Sequence, residues 1–146
     1  MGQISMEIRR QPGSVPGGNQ HLIDIASDGD AWSLWSYQAT ERAAAAGARL
    51  VINPLVYAEV SVAFRRIEDL DHLLPEAVFI REPLPWNAAF LAGKAYLAYR
   101  RRGGTRTSLL PDFYIGAHAA TAGYRLLTRD ARRYRTYFPT VELIAP

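Results

Sequence analysis

Residues 108–121, SLLPDFYIGAHAAT, contain the clearest helix signal in the chain. Pro111 suits the first turn of a helix because its missing N–H would be unpaired there, and Asp112 follows near the positive end of the helix dipole. The next apolar positions predict a narrow, mostly buried helix that Gly123 ends. These positions are Phe113, Ile115, Gly116, Ala119 and Ala120. The stretch therefore predicts one carboxylate, Asp112, at the rim of a packed core.

A buried strand is predicted directly downstream, in residues 124–134, YRLLTRDARRY. The apolar pair Leu126 and Leu127 indicates the strand, which delivers Thr128 and Asp130 at its C-terminal end. In an open parallel α/β sheet, sites are built at the C-terminal ends of strands. Asp130 is therefore a second candidate site acid. Thr128 could orient a ligand or a water, but ending the strand is the simpler role.

A third acid, Glu59, lies in residues 53–66, NPLVYAEVSVAFRR. Asn53 followed by Pro54 predicts a cap and the start of a helix. That helix is apolar nearly all round except for Glu59, and a carboxylate is costly to bury unless it is paired. One explanation is a buried salt bridge to an arginine, and the other is a functional site.

The remaining segments alternate between strands and helices, which predicts a three-layer α/β/α fold with a central, mainly parallel sheet. Residues 1–20 are rich in Pro and Gly and predict an irregular N-terminal arm, so the domain spans residues 21–146. Residues 85–102 predict a long amphipathic helix. Its predicted inward residues are Trp86, Phe90, Leu91, Leu97 and Ala98.

Composition narrows the functional class. The chain has 146 residues, 49% of them hydrophobic and 21% charged, which suits one globular domain with a core. It has no cysteine, which excludes disulfides, thiolate metal sites and cysteine nucleophiles. No apolar run approaches the roughly 18 residues of a membrane span, and no signal peptide is evident. We therefore expect a soluble cytoplasmic protein with no membrane partner.

The net charge is +3, and the arginines cluster in residues 100–106 and 129–135. Such clustering fits a polyanionic partner, although a solvated basic face would give the same pattern.

The acids Glu59, Asp112 and Asp130 stand apart from any solvent-facing charge pattern. Carboxylates brought together repel, so a native cluster of them needs a cation. With oxygen ligands only, Mg²⁺ or Mn²⁺ is the natural choice. Such ions promote phosphodiester hydrolysis by activating a water and stabilising charge on the phosphoryl group, while nearby arginines would hold flanking phosphates.

The chain resembles PIN-domain ribonucleases of the VapC toxin type over residues 22–146. The matching motifs are NPLVYAEVSVAF with Glu59, LPDFYIGAHAA with Asp112, and LLTRDARRY with Asp130. The resemblance implies a Mg²⁺- or Mn²⁺-dependent endoribonuclease toxin of a toxin–antitoxin pair, with those three acids as metal ligands and an activated water attacking RNA phosphate. It also implies a homodimer neutralised by a VapB-type antitoxin whose tail covers the acidic pocket.

The sequence departs from this family at the first strand, which in the family ends in a hydrophobic pair and an Asp-Thr-Asn or Asp-Ser-Asn triplet. Read without a gap, that Asp falls on Gly18 and the triplet becomes Gly-Asn-Gln. An alternative alignment makes Asp24 the first-strand acid. If Asp24 is not a metal ligand, it is expected to be an acid on the surface of a helix. A catalytically impaired PIN-fold protein that binds antitoxin or RNA without cleaving is therefore the alternative function.

A frameshift near codon 21 would explain the departure. Reading the codons of Val15 to His21 one base later allows an apolar strand followed by Thr-Asn, leading directly into Leu22. The nucleotide sequence decides this hypothesis, because it requires an apolar strand in the shifted frame. A third function, an α/β domain for a small phosphorylated ligand, is disfavoured because no Gly-rich loop follows a predicted strand.

His118 lies six residues past Asp112 on the buried helix and is predicted to be a core or interface histidine. Four tyrosines could stack on RNA or serve an interface, although core packing is expected for at least half of them. They are Tyr96, Tyr99, Tyr134 and Tyr137.

Overall fold

The computed structural model describes residues 3–10, 21–26, 34–128 and 130–145, and side chains from residue 38 onward within these ranges. The strands are β1 (Gln3–Arg10), β2 (His21–Ala26), β3 (Ala48–Ile52), β4 (Phe79–Arg81), β5 (Arg125–Leu127) and β6 (Leu143–Ile144). The helices are α1 (Leu34–Ala45), α2 (Pro54–Ser61), α3 (Ile67–Leu73), α4 (Trp86–Arg101), α5 (Leu110–Ala122) and α6 (Ala131–Tyr137).

The strands form a six-stranded sheet in the order β4-β3-β1-β2-β5-β6. The pairs β2–β5, β3–β4 and β5–β6 are parallel. Strand β1 lies between β2 and β3 and runs antiparallel to both. The predicted three-layer α/β/α fold with a mainly parallel central sheet is therefore confirmed. Within the described ranges, no helix is long and apolar enough to cross a membrane.

Strand β1 differs from the irregular arm predicted for residues 1–20. Residues 3–10, QISMEIRR, alternate apolar and polar side chains at Ile4, Met6 and Ile8, which is the period of a strand. The Pro and Gly residues that motivated the arm begin only after this stretch. Residues 11–20 lie outside the described residues, and with them most of the stretch on which the frameshift hypothesis depends.

The helix that carries Glu59 begins as predicted. The Asn53 side chain caps α2 by accepting a hydrogen bond from the Val56 N–H at 3.0 Å, and Pro54 occupies the first turn. The helix ends at Ser61, before the Arg65 and Arg66 pair that the sequence placed at its end. Helix α5 ends as predicted at Gly123, whose φ of 70° is left-handed.

The predicted inward face of α4 is confirmed at Leu91, which packs against the core, but is wrong at Trp86, Phe90 and Leu97. Trp86 is 91% exposed and Phe90 is 72% exposed, whereas Ala88, Ala92 and Ala95 are buried. Helix α4 packs along α5, and small side chains allow two helices to approach closely, so the alanines occupy the contact. Since Trp86 and Phe90 lie on another face of α4, they remain outside the core.

A glycine sets the distance between α5 and the segment that carries Asp130. A Cβ atom on Gly116 would lie 2.5 Å from the Phe138 ring and 3.0 Å from the Tyr134 ring. The Tyr134 side chain is fully buried. This close packing places the first turn of α5, with Asp112, near the start of α6.

Candidate metal centre

Three separate elements carry the predicted site acids. Glu59 lies on α2, Asp112 lies in the first turn of α5, and Asp130 caps α6 directly after β5. The negative charge of Asp112 acts on Glu59, and that of Asp130 acts on Asp112. The fold therefore brings the three acids into one electrostatic cluster.

Arg133 connects two of these acids. Its Nη1 lies 2.9 Å from Asp112 Oδ2, and its Nη2 lies 3.1 Å from Asp130 Oδ2. Asp130 also accepts a hydrogen bond from the Arg133 backbone N–H at 3.2 Å. Arg133 belongs to the arginine cluster of residues 129–135, but its contacts with the acids were not predicted, although its position three residues after Asp130 is a detectable signal. The guanidinium supplies part of the positive charge that the cluster requires.

Glu59 has no comparable positive partner among the described residues. Its Oε2 is buried and has no hydrogen-bond partner in the described part of the chain. Burial, together with the negative charge of Asp112, raises the pKa of Glu59 to about 8. The salt bridge that could have explained this acid is therefore absent among the described residues. A buried carboxylate oxygen without a protein partner suits a cation ligand.

Asp112 is only 8% exposed. Burial raises its pKa to about 6, against the opposing effect of the Arg133 guanidinium. Asp130 raises this pKa further and Arg106 lowers it. Because burial outweighs the arginines, the site favours additional positive charge near Asp112.

Carboxylate oxygens suit a hard cation such as Mg²⁺ or Mn²⁺, and the unpartnered Glu59 Oε2 adds a reason to expect one. Among the described side chains, no three acids or histidines already lie in a metal-ligating arrangement. Arg133 instead holds one oxygen each of Asp112 and Asp130. The donor set fits a divalent cation, provided that these side chains rearrange around it.

The backbone places Asp24 close to the same edge of the sheet. Asp24 lies on β2, where Ile23 pairs with Leu127 of the parallel strand β5. Asp24 is therefore level with Thr128, just before Asp130. The helix-surface position considered for Asp24 is wrong, because its backbone is extended and paired within the sheet.

Thr128 positions a site acid. It is fully buried, and its Oγ1 accepts a hydrogen bond from the Asp130 N–H at 3.0 Å. Thr128 thus ends the strand, as expected, and also fixes the turn that presents Asp130.

A buried hydrogen bond links the two helices that carry Glu59 and Asp112. The Asn53 Nδ2 lies 3.2 Å from Nδ1 of His118 on α5, and Nε2 of His118 lies 3.5 Å from Glu82. The prediction of a core histidine is confirmed, since His118 is only 2% exposed. Because Asn53 also caps α2, this contact fixes α2 against α5.

An arginine-rich cleft of about 500 Å³ adjoins the acids and shares Asp130 and Arg133 with them. Its other lining residues are Tyr99, Arg102, Arg106, Leu109, Arg132, Thr136 and Tyr137. Of the four tyrosines considered from the sequence, Tyr134 is fully buried, and the other three are half-buried and pack against the core. The expectation of core packing for at least half of them is confirmed.

Comparisons with known proteins agree with the fold. The family model described as PIN domain matches residues 23–139, beginning one residue before Asp24. PIN domains are generally nucleases. A search of curated sequences gave no significant match.

Among solved structures, the chain is similar to VapBC2 from Rickettsia felis, crystallised bound to a DNA fragment from its promoter. The TM-score is 0.57 at 17% identity, covering 75% of this chain and 83% of the other. At that identity the likeness concerns the fold. Since the family model spans well over half of the chain and the fold agrees with it, this protein belongs to the PIN domain family.

Proposed function

We propose that this protein is a metal-dependent endoribonuclease toxin of a VapBC-type toxin–antitoxin pair. The observation that carries the proposal is the buried, unpartnered Oε2 of Glu59 beside Asp112. Ionising both carboxylates together is costly unless a cation lies between them. Membership of a family of nucleases supports phosphodiester hydrolysis as the purpose of that cation.

In this proposal Glu59, Asp112 and Asp130 hold Mg²⁺ or Mn²⁺. When bound, the ion supplies a water of lowered pKa and stabilises charge on the phosphoryl group. Thr128 keeps Asp130 in place through the hydrogen bond to its N–H. Arg133 supplies one positive charge shared by Asp112 and Asp130, and a guanidinium in this position would also suit a phosphate oxygen.

We include Asp24 as a fourth acid of the same centre. The support is the register of β2 on β5, which places its backbone level with Thr128, and the start of the family match at residue 23. Asp24 would replace the acid of the triplet that Gly18 and its neighbours lack.

The alternative is a PIN-fold protein with impaired catalysis that binds antitoxin or RNA without cleaving. Two observations favour it: the family's first-strand triplet is missing from the sequence, and Arg133 already contacts two of the acids. Loss of a metal ligand would weaken metal binding and misplace the water.

The proposed partners are an RNA substrate, a VapB-type antitoxin and a second copy of the chain. The similar Rickettsia felis structure is a VapBC complex, which supports an antitoxin partner. The exposed Trp86 and Phe90 on α4 give a homodimer an apolar surface to bury.

The deciding experiment is cleavage of a panel of structured RNAs by the purified chain with Mg²⁺, Mn²⁺ or EDTA. We expect metal-dependent cleavage that Asp112→Asn and Asp24→Asn abolish. The control is Asp69→Asn, which alters an exposed acid on α3. If the chain cleaves RNA only after the family's first-strand sequence, Val-Asp-Thr-Asn, is restored, the protein is the impaired form instead. Cleavage that survives in EDTA or in Asp112→Asn would refute the metal mechanism.

A further inference from the structure

The arginine-rich cleft beside the acids has the size of a ligand site. It lies between the C-terminal end of α4, the loop that follows and α6, and its volume is about 500 Å³. Small-molecule sites typically span roughly 300–1,000 Å³. Because Asp130 and Arg133 belong both to the cleft and to the metal centre, a ligand in the cleft would lie next to the reacting phosphate.

The cleft carries uncompensated positive charge. Arg133 is engaged by Asp112 and Asp130. Among the described side chains, no carboxylate forms an ion pair with Arg102, Arg106 or Arg132, although all three line the cleft. Three such guanidinium groups around one cavity favour a ligand with phosphate groups.

An aromatic layer lines the same cavity. The Tyr137 ring packs edge-on against Phe113 with centroids 5.1 Å apart, and it lies 6.1 Å from the Tyr99 ring. The guanidinium carbon of Arg102 lies 5.5 Å from the Tyr137 centroid. At that distance the guanidinium interacts with the face of the ring, and its planar group can also stack on a nucleobase.

The loop that carries Arg106 is fixed by Tyr99. The Arg106 N–H donates a hydrogen bond to the Tyr99 hydroxyl at 3.1 Å. A Cβ atom on Gly104 would lie 2.4 Å from the Tyr99 ring, so only glycine allows the loop to cross the ring this closely. The cleft is thus a preformed arrangement of charge and rings, which favours specific binding.

We propose that this cleft binds the nucleotide next to the scissile phosphate of a single-stranded RNA. Arg102, Arg106 and Arg132 contact its phosphates, and its base stacks on the Arg102 guanidinium over Tyr137. The inference rests on the proposed ribonuclease function and adds a substrate subsite to it. RNA is favoured over an acidic protein segment because carboxylates would satisfy the arginines but leave the stacking surface unused.

Binding is measured without cleavage, using a short fluorescent single-stranded RNA of mixed sequence in EDTA at several salt concentrations. The variants are Arg102→Gln, Arg106→Gln and Arg132→Gln. We expect weaker binding and a salt slope reduced by about 0.7 for each phosphate that is no longer neutralised. Arg102→Lys should keep most of the slope yet bind more weakly, because lysine retains the charge but not the planar stacking surface.

Matched controls are Arg101→Gln at the end of α4 and Arg135→Gln on α6, which alter exposed arginines outside the cleft. They should bind RNA nearly as the parent chain does. Equal weakening in cleft and control variants would mean general charge attraction and would overturn the subsite. Unchanged RNA binding with weakened binding of a polyglutamate peptide would overturn it in favour of an acidic protein partner.

Cleavage kinetics separate this inference from the proposed function. If the parent chain cleaves RNA, the cleft variants should show a raised KM with kcat little changed. Unchanged KM in those variants would overturn the subsite alone. If the parent chain cleaves nothing but the cleft variants lose RNA affinity, the subsite stands as an RNA-binding site and the ribonuclease proposal fails.

Discussion

Glu59 shows how one buried carboxylate couples charge to stability. Its pKa is raised to about 8 from an ordinary value of 4.5, chiefly by burial. Between these values the folded chain binds a proton that the unfolded chain releases. The free energy of unfolding therefore falls as pH rises through this window.

Without metal, we expect the protein to be less stable at pH 8.5 than at pH 5, because ionised Glu59 lies unpartnered beside Asp112. Glu59→Gln should flatten most of this dependence, and Mg²⁺ should restore stability at the higher pH. Urea unfolding in EDTA and in Mg²⁺ checks this. Glu68→Gln, which alters an exposed glutamate paired with Arg66, should keep the parent slope. A metal-free chain that gains stability with pH would contradict the expectation.

Arg133 acts directly on its acidic neighbours. Because its guanidinium opposes the effect of burial on Asp112, Arg133→Gln should raise the pKa of Asp112 above its present value of about 6. Carbon-detected NMR titration of the Asp112 carboxyl in metal-free protein measures this pKa. Arg135→Gln on the same helix is the control and should leave it unchanged. An unchanged pKa in Arg133→Gln would show that the contact between Arg133 and Asp112 does not persist in solution.

Helix α5 depends on a glycine for its contact with α6. Gly116 has no room for a methyl group, since a Cβ atom would enter the rings of Phe138 and Tyr134. Helix α4 presents the opposite case at Gly93, where nothing lies within 4 Å of an added Cβ atom. The two helical glycines therefore form a matched pair.

We expect Gly116→Ala to destabilise the fold by about 1–3 kcal/mol through overpacking. Gly93→Ala should be neutral or stabilising by up to about 1 kcal/mol, because alanine is the better helix former. Chemical denaturation of the two variants side by side measures both changes. Similar effects at the two positions would show that the Phe138 ring moves aside readily and that α5 is packed loosely against it.

Helix α4 carries two exposed aromatic side chains on the surface of the molecule. Trp86 and Phe90 lie one helical turn apart, and the Lys94 ammonium lies 5.2 Å from the Phe90 ring centroid. Burying such a side chain is favourable by about 1.5–3 kcal/mol relative to leaving it exposed. In the proposed homodimer, a second copy of the chain covers this surface.

We therefore expect a homodimer that Trp86→Glu together with Phe90→Glu converts to a monomer. Light scattering after size exclusion measures the mass, and circular dichroism checks that the variant folds. Val62→Glu is the control, because this residue is 87% exposed and lies outside α4. A monomeric parent chain, or a double variant that stays dimeric, would exclude this face as the interface.

Local patterns in the sequence determined the helices that carry Glu59 and Asp112, the cap at Asn53, and the mainly parallel sheet. These features depend on neighbours a few residues apart, so spacing and capping chemistry are sufficient to predict them. The three candidate acids were predicted in the same way, each from its position within one element.

Only the tertiary structure decided which charged and polar groups contact one another and which side chains are buried. Three features depend on how distant segments pack. They are the contacts of Arg133 with two acids, the contact of Asn53 with His118, and the exposure of Trp86. Strand β1 was missed because its alternation is short and its place between β2 and β3 depends on pairing across the chain. Long-range packing chooses among many locally acceptable arrangements, and no local pattern encodes that choice.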